Sequence, residues 1–321
     1  MNLASKKIVV IGGAGFIGSH IVDLLLKTAV AQVVIFDNFS RGSLGNIRQA
    51  LKDPRVVVME GADILHTDIL NQALKGAHYV FHLAAVWLLQ CHEYPKLAFD
   101  VNIRGTFNVI EAALRHKVEK VIFSSSASVY GDALSLPMTE DHPYNNFTFY
   151  GATKIAGEHM FKSLGHQYGL TWIGLRYMNA YGPRQDYKGA YTAVMHKMLD
   201  RIESGKPPII HGNGQQQYDF IDARDIARAN ICALTTTAQG ECYNICRGIG
   251  TTLNDLAHLL LKLKNTNLDI HYEPQEITFV TKRLGCPQKA ERDLHFKWKI
   301  DLEEGLRDLI AWRTHHQREA L

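Results

Sequence analysis

Tyr150 and Lys154 stand four residues apart in a stretch of helical periodicity from Thr148 to Tyr168, so both side chains leave one face of that helix. A free tyrosine has a pKa of about 10 and is a poor base near neutrality. A neighbouring ammonium, together with a positively charged ring bound alongside, would stabilise the phenolate and draw that value down. A Tyr and a Lys on a solvated helix face are the bland reading of such a pair. The run Ser124-Ser125-Ser126-Ala127-Ser128-Val129-Tyr130-Gly131 argues for more. It follows an apolar strand, and open α/β sheets bind ligands outside the carboxyl ends of their strands. Ser126 then stands where its hydroxyl can bond the oxygen that Tyr150 protonates or deprotonates. Acid/base catalysis is the expected chemistry, carried by Ser126, Tyr150 and Lys154.

A second constellation opens the chain. Ile11-Gly12-Gly13-Ala14-Gly15-Phe16-Ile17-Gly18 separates an apolar β-branched run from a helical one. It satisfies Gly-x-Gly-x-x-Gly through Gly13, Gly15 and Gly18, and Gly-x-x-Gly-x-x-Gly through Gly12, Gly15 and Gly18. Absent side chains permit a tight turn and let a pyrophosphate reach the amides at a helix N-terminus. Glycine also serves turns for geometry alone, but the flanking strand and helix and the acid at Asp37 fit a dinucleotide site. Asp37 ends the second strand, where a carboxylate accepts both ribose hydroxyls and repels a 2′-phosphate. This points to NAD rather than NADP. Arg41, four residues on, leaves room for a phosphate, and a turn role for Asp37 stays open.

These groups need a frame, and the hydrophobic pattern supplies it. Strands are expected at Lys7 to Ile11, Gln32 to Phe36, Arg55 to Met59, Tyr79 to Leu83, Lys120 to Ser124 and Thr171 to Arg176. Helices are expected near Ile17 to Lys27, Asp68 to Lys75, Phe99 to His116 and Thr148 to Tyr168. Such alternation predicts an α/β Rossmann fold, a doubly wound parallel sheet with a smaller C-terminal substrate-binding lobe. After Pro183 the pattern loosens around Gly205, Pro207, Pro208, Gly212 and Gly214. Residues 1–180 are therefore expected to form the NAD-binding domain and 181–321 mainly the lobe, with 210–235 returning to the large domain. Helices near Asp222 to Leu234, Asn254 to Lys264 and Leu302 to Arg313 are readable there.

The chain has 321 residues, 46% hydrophobic and 21% charged, with a formal charge of +3. That charge is too mild and too scattered for a nucleic-acid surface. The five cysteines include no Cys-x-x-Cys pair, which suits reduced thiols in a cytoplasmic protein better than disulfides or a metal site. No apolar run reaches the roughly 18 residues that a membrane span requires, and Met1 to Lys7 lacks a signal-peptide core.

With these motifs in order, the sequence resembles the extended short-chain dehydrogenase/reductase family, particularly its NAD-dependent nucleotide-sugar epimerase/dehydratase branch. The resemblance runs nearly the whole chain. It takes in the glycine turn, Asp37-Asn38, Asp63-Ile64, His82-Leu83-Ala84-Ala85, the serine strand, Tyr150 with Lys154, and Arg176-Tyr177-x-Asn179-x-Tyr181-Gly182-Pro183. It continues through Gly212-x-Gly214-x-Gln216 and Asp219-Phe220 to Leu302-Glu303-Glu304-Gly305-Leu306. The resemblance implies that Gly12, Gly15, Phe16, Ile17, Gly18, Asp37 and Asn38 hold NAD together with Ser124, Tyr150, Lys154 and Tyr177. It further implies that Asp63 and Ile64 flank the adenine, that Leu83, Ala84 and Ala85 line the cleft, and that Asn179 touches the substrate's phosphates. Plain roles also exist: Asp63 as a helix-capping acid, Asn179 as a turn residue.

Ala127 and Ser128 occupy the places where sugar 4,6-dehydratases of the family carry an acidic pair, so the strand looks like that of the 4-epimerases. The implied reaction is C4 epimerisation of a nucleotide-linked sugar, expected to be UDP-linked, feeding surface polysaccharide synthesis. Tyr150 would take the 4-hydroxyl proton, NAD the C4 hydride, and the 4-keto sugar would turn over before the hydride returns. Dehydration, decarboxylation or reduction from the same 4-keto sugar is the alternative, and a non-catalytic dinucleotide sensor a further one. Three departures bear on the substrate. Tyr218 replaces an arginine before Asp219; Phe279-Val280-Thr281-Lys282-Arg283-Leu284-Gly285-Cys286 alters an Arg-rich diphosphate motif; and Trp87-Leu88-Leu89-Gln90-Cys91 is bulkier than usual. Ser126, Tyr150, Asn179, Tyr218 and Arg283 are the expected substrate contacts, with Lys282 or Arg184 as other sources of the missing charge. Trp87 either packs on the sugar or belongs to the core. The helices near 99–116 and 148–168 resemble the family's dimer-forming bundle, so a homodimer is expected.

Overall fold

In the computed structural model, which describes residues 3–186, 194–274 and 280–319, the apolar runs become β1 (Lys7–Ile11), β2 (Gln32–Asp37), β3 (Val56–Glu60), β4 (Tyr79–His82), β5 (Lys120–Ser126) and β6 (Trp172–Tyr177). Four short strands follow, β7 (Asn179–Tyr181), β8 (Ile209–His211), β9 (Gln217–Tyr218) and β10 (Phe220–Asp222). Then β11 (Glu241–Ile245) comes back to the main sheet, a strand that the apolar pattern does not mark. The seven-stranded sheet has the order β11-β6-β5-β4-β1-β2-β3 and is parallel throughout.

Both faces of this sheet are covered, and β1 shows why its strands read as continuous apolar runs. Successive side chains point to opposite faces. Ile8 and Val10 enter one core with Ile21 and Val22 of α1 (Phe16–Leu26), whereas Val9 and Ile11 enter another with Leu70 of α2 (Thr67–Leu74). Neither face meets water, so no polar alternation is needed. The chain reverses direction across the sheet between β4 and β1. This is the switch point at which doubly wound sheets open a ligand crevice.

After β4 come α3 (Leu88–Glu93) and α4 (Pro95–Ala98). The helix predicted from Phe99 starts instead as a π-helical turn, Phe99–Gly105, and becomes α5 (Thr106–Arg115) only afterwards. Side chain-free Gly105 lets that turn lie against Ile64, whose Cδ1 sits 2.5 Å from where a Cβ would be. The wider turn seats Asn102 in the interior. Its Oδ1 accepts from the Val86 amide at 2.7 Å, and its Nδ2 donates to the Val86 carbonyl at 2.8 Å and to Thr153 Oγ1 at 3.1 Å. The next helix is α6 (Phe149–Tyr168), which packs on β5.

The second half builds a separate core from Met198 and Leu199 of α7 (Val194–Glu203), Leu256 and Leu260 of a later helix, and Leu306 and Leu309 near the end. Before it closes, α8 (Ala223–Thr235) crosses back to pack on α1. The remaining elements are β12 (Thr251–Thr252), α9 (Leu253–Leu263), β13 (His271–Glu273), β14 (Lys282–Arg283), α10 (Gln288–Leu294) and α11 (Leu302–Glu319). All five cysteines are free thiols. Among the described residues no helix is long and apolar enough to cross a membrane, and no His, Cys, Asp or Glu cluster is arranged to hold a metal.

Candidate active site

Three consecutive serines end β5, and each does something different. The Ser124 carbonyl accepts from Lys154 Nζ at 2.8 Å, while its hydroxyl pairs with the Tyr177 phenol at 2.9 Å. Ser125 donates to Glu158 at 2.5 Å, the carboxylate that also binds the buried Arg176 guanidinium at 2.7 Å. Ser126 caps the turn Ala127–Val129 by accepting from the Ser128 amide at 3.1 Å, and it lies near enough to the Tyr150 phenol to favour its ionised form. Ser124 and Ser126 lie on one face of β5 and Ser125 on the other, so neighbouring serines serve different partners.

α6 delivers Tyr150 to this turn. Thr148 caps its N-terminus, Oγ1 accepting from the Gly151 amide at 3.1 Å. A Cβ on Gly151 would lie 2.4 Å from the Ser128 carbonyl, so only glycine lets the helix start against the serine turn. One and a half turns later, Gly157 gives way to the Phe123 ring in the same manner, at 2.5 Å. The helix therefore lies close on β5 and swings Tyr150 beside Ser126. The Tyr150 ring packs against Val86, Cys91 and Ala98.

The electrostatics of the pair differ from those the spacing suggests. Burial pushes the Tyr150 phenol up to about 12, opposed by the Ser126 hydroxyl and by the charge of Arg283. Lys154 is buried too, which brings its ammonium down to about 8. Its Nζ lies 5.7 Å from the Tyr150 ring centre and 5.2 Å from that of Phe123, committed to the Ser124 carbonyl. The cation acting on the phenol is thus Arg283 from the lobe. With Lys154 committed to the Ser124 carbonyl, burial is the largest influence on the phenol, and a bound nicotinamide ring would add its positive charge to the opposing pull of Ser126 and Arg283.

Arg283 reaches the site through β14, where it pairs in register with Tyr218 of β9. Burial lowers its guanidinium to about 10, against the pull of Tyr218, Asp132 and Tyr150, and its buried Nε has no hydrogen-bond partner among the described residues. Tyr218 donates its hydroxyl to the Val280 carbonyl at 2.9 Å. Asn179 is anchored by its own amide on the Asp219 carbonyl at 2.9 Å, with Nδ2 3.4 Å from the same oxygen. Lys282 is exposed, and Arg184 is engaged by Asp23 of α1 at 2.7 Å, which leaves Arg283 as the lobe's cation at the phenol. Phe279 lies outside the described residues.

The glycine turn fits a dinucleotide. Gly12 has φ +82°, and a Cβ on it would lie 3.0 Å from the Ala84 amide. A Cβ on Gly18 would fall 2.1 Å from the Gly12 carbonyl oxygen. Gly15 is the N-cap of α1, no side chain caps that helix and no acid sits in its first turn, so the Phe16–Ile17 end offers its dipole to an anion. Leu83 continues β4 by donating to the Ile11 carbonyl, which sets Ala84 and Ala85 beside the turn. Asp37 Oδ2 accepts from the Ala14 amide and Oδ1 from the Phe39 amide, both at 2.9 Å. The carboxylate therefore braces the turn while each oxygen keeps acceptor capacity for a ribose hydroxyl. Asn38 donates to Asp63 at 3.1 Å, Asp63 accepts from the Leu65 amide at 2.8 Å, and Ile64 is buried beneath them.

Some groups fall elsewhere than the residue types suggest. Trp87 is the platform for Arg41, whose guanidinium lies 4.7 Å from its ring centre and 3.2 Å from Asp186. Asn102, which ties the loop after β4 to the catalytic helix, carries no sequence signal, since its position depends on a π-helical turn.

A family model described as the NAD dependent epimerase/dehydratase family matches residues 8–246. A putative UDP-glucose 4-epimerase of Methanocaldococcus jannaschii is 35% identical over 315 residues, covering 97% of this chain and 99% of that one. The solved UDP-N-acetylglucosamine 4-epimerase from Methanobrevibacter ruminantium superimposes with a TM-score of 0.92 at 33% identity, over 98% of this chain and 100% of that one. A UDP-glucuronic acid 4-epimerase from Bacillus cereus, solved with UDP-glucuronic acid and NAD, gives a TM-score of 0.89 at 29% identity, over 97% and 99%. Fold, cleft and likeness agree from end to end, and the protein belongs to the NAD dependent epimerase/dehydratase family.

Proposed function

We propose that the protein is an NAD-dependent epimerase acting at C4 of a UDP-linked sugar through a 4-keto intermediate. The observation that carries this reading is the Tyr150 phenol, set beside Ser126 and within the influence of Arg283, at the carboxyl end of β5. Tyr150 takes the proton of the C4 hydroxyl and later returns it, while Ser126 bonds the same oxygen in both forms. Lys154 holds its proton near the phenol and bonds the nicotinamide ribose. Bound NAD supplies the exchange of hydride at C4. Arg283 and Asn179 receive the substrate's diphosphate, and Tyr218 lines the same pocket. Ala127 and Ser128, both buried, offer no acid or base for losing water across C5 and C6, which weighs against dehydration. We place the enzyme in the cytoplasm, upstream of surface polysaccharide assembly. Incubation with a panel of UDP-sugars and product analysis by NMR tests the reading: a C4 epimer should form without added NADH or change of mass. A dehydrated or reduced product would overturn it.

The cofactor assignment has its own test. Asp37→Ala should weaken NAD at least about tenfold, the worth of a charge-assisted hydrogen bond, and NADP far less. Because the variant also loosens the turn, the ratio of the two affinities in calorimetry is decisive, and equal losses would sink the ribose argument. We further propose a homodimer built on α5 and α6. Phe99, Phe107 and Phe149, exposed on or beside these helices, would supply the apolar contacts of such an interface. Sedimentation should give a dimer at micromolar concentration, and a monomer there would refute it.

A further inference from the structure

Asp132 has no part in the reading above, yet it bonds the segment that carries the cation of that site. It follows the serine turn by a few residues, at the exit of the Gly131 bend. Its Oδ1 accepts from the backbone amides of Thr281 at 3.0 Å and Lys282 at 3.1 Å, and its Oδ2 from the Thr281 hydroxyl at 2.8 Å. One carboxylate thus gathers three donors from the segment leading directly into Arg283. The same two stretches meet again further on. The Met138 amide donates to the Leu284 carbonyl at 2.8 Å, and the Cys286 amide to the Met138 carbonyl at 2.9 Å. Arg283 is therefore held on both sides by the loop that descends from the catalytic strand.

This connection is unusual in its economy. β14 has two residues and among the described residues pairs with β9 alone, itself two residues long, so the ladder by itself is a weak support for a buried guanidinium. The carboxylate adds charge-assisted bonds, which are about twice as strong as neutral ones. It also lies close enough to act on the charge of Arg283 directly.

We infer that Asp132 is a positioning residue for substrate binding: it fixes the Thr281–Arg283 segment so that Arg283 meets the substrate's diphosphate next to Tyr150. The inference rests on the proposed diphosphate role of Arg283. It connects the domain carrying the phenol to the lobe carrying the cation, so that the two halves of the site hold one register.

UDP binding measured by calorimetry, with KM and kcat for UDP-glucose, tests it. Asp132→Ala should weaken UDP about tenfold and raise KM in step, the worth of one charge-assisted hydrogen bond, with kcat falling by less than KM rises because Arg283 also favours the phenolate, and with NAD affinity changed by less than about twofold. Asp132→Asn, which keeps an acceptor for both amides, should recover most of the loss, and Thr281→Val should show only a small one. The double variant Asp132→Ala/Arg283→Ala should bind UDP no worse than Arg283→Ala alone, because the two act through one contact. Unchanged UDP affinity in Asp132→Ala, fully additive losses, or an equal fall in NAD affinity would overturn the positioning role. Failure of the unmodified protein to bind UDP would sink the diphosphate reading as well, so the two failures are distinguishable.

Discussion

Tyr150→Phe should lower turnover about a thousandfold, in the middle of the range for loss of a general acid/base, and leave NAD affinity within about twofold. The phenylalanine ring keeps the packing against Val86, Cys91 and Ala98, so the deleted oxygen is the only change of consequence. Burial holds the phenol at about 12, so it cannot take a proton near neutrality without help. Ser126 and Arg283 already favour the phenolate, and the positive ring of bound nicotinamide adds to them. The pH dependence follows from the neighbour. Lys154 has its ammonium brought down to about 8, so it is charged below that value and loses its charge as pH rises through it. Activity that depends on this charge should therefore fall above about pH 8. Lys154→Arg, which stays charged, should move that alkaline limb upward. Rates with saturating UDP-sugar across pH 6 to 10 would show both effects. Full activity in Tyr150→Phe, or an alkaline limb unmoved in Lys154→Arg, would refute the assigned roles.

Gly18→Ala should cost about a hundredfold or more in NAD affinity. The new methyl would stand 2.1 Å from the Gly12 carbonyl oxygen and 2.9 Å from Gly13 Cα, both backbone atoms that no rotamer change can move aside. Overpacking of this kind costs typically up to about 3 kcal/mol, which is roughly a hundredfold in an equilibrium constant. Because Gly12 is itself wedged against the Ala84 amide, the turn has nowhere to retreat. Gly15→Ala provides the contrast, since its Cβ would meet only the Gly12 carbonyl, at 3.2 Å. Its loss should be much smaller. Calorimetric titration with NAD, beside circular dichroism to check folding, would test the pair. Equal behaviour of the two variants would show that the close approach of backbone at Gly18 is not what shapes the cradle.

The sequence by itself determined six strands of the sheet and the glycine turn, while β11 carried no apolar signal. Strands buried on both faces must be unbroken apolar runs, and a turn that brings backbone against backbone must be glycine, so both constraints are written in residue type. Tyr150 and Lys154 were legible for the same reason, because a helix converts a spacing of four into a shared face. What only the tertiary structure decided is the direction of every charge at the site. Spacing says that Lys154 lies near Tyr150. It does not say that the ammonium is committed to the Ser124 carbonyl, that burial dominates the phenol, or that the cation acting on it is Arg283, more than a hundred residues away. Asn102 and Asp132 were illegible because their roles depend on a π-helical turn and on two short segments meeting across the fold. Propensity and periodicity describe what a residue does to its own segment. A pKa or a positioning contact depends on which distant atoms share the same small volume, and packing alone sets that.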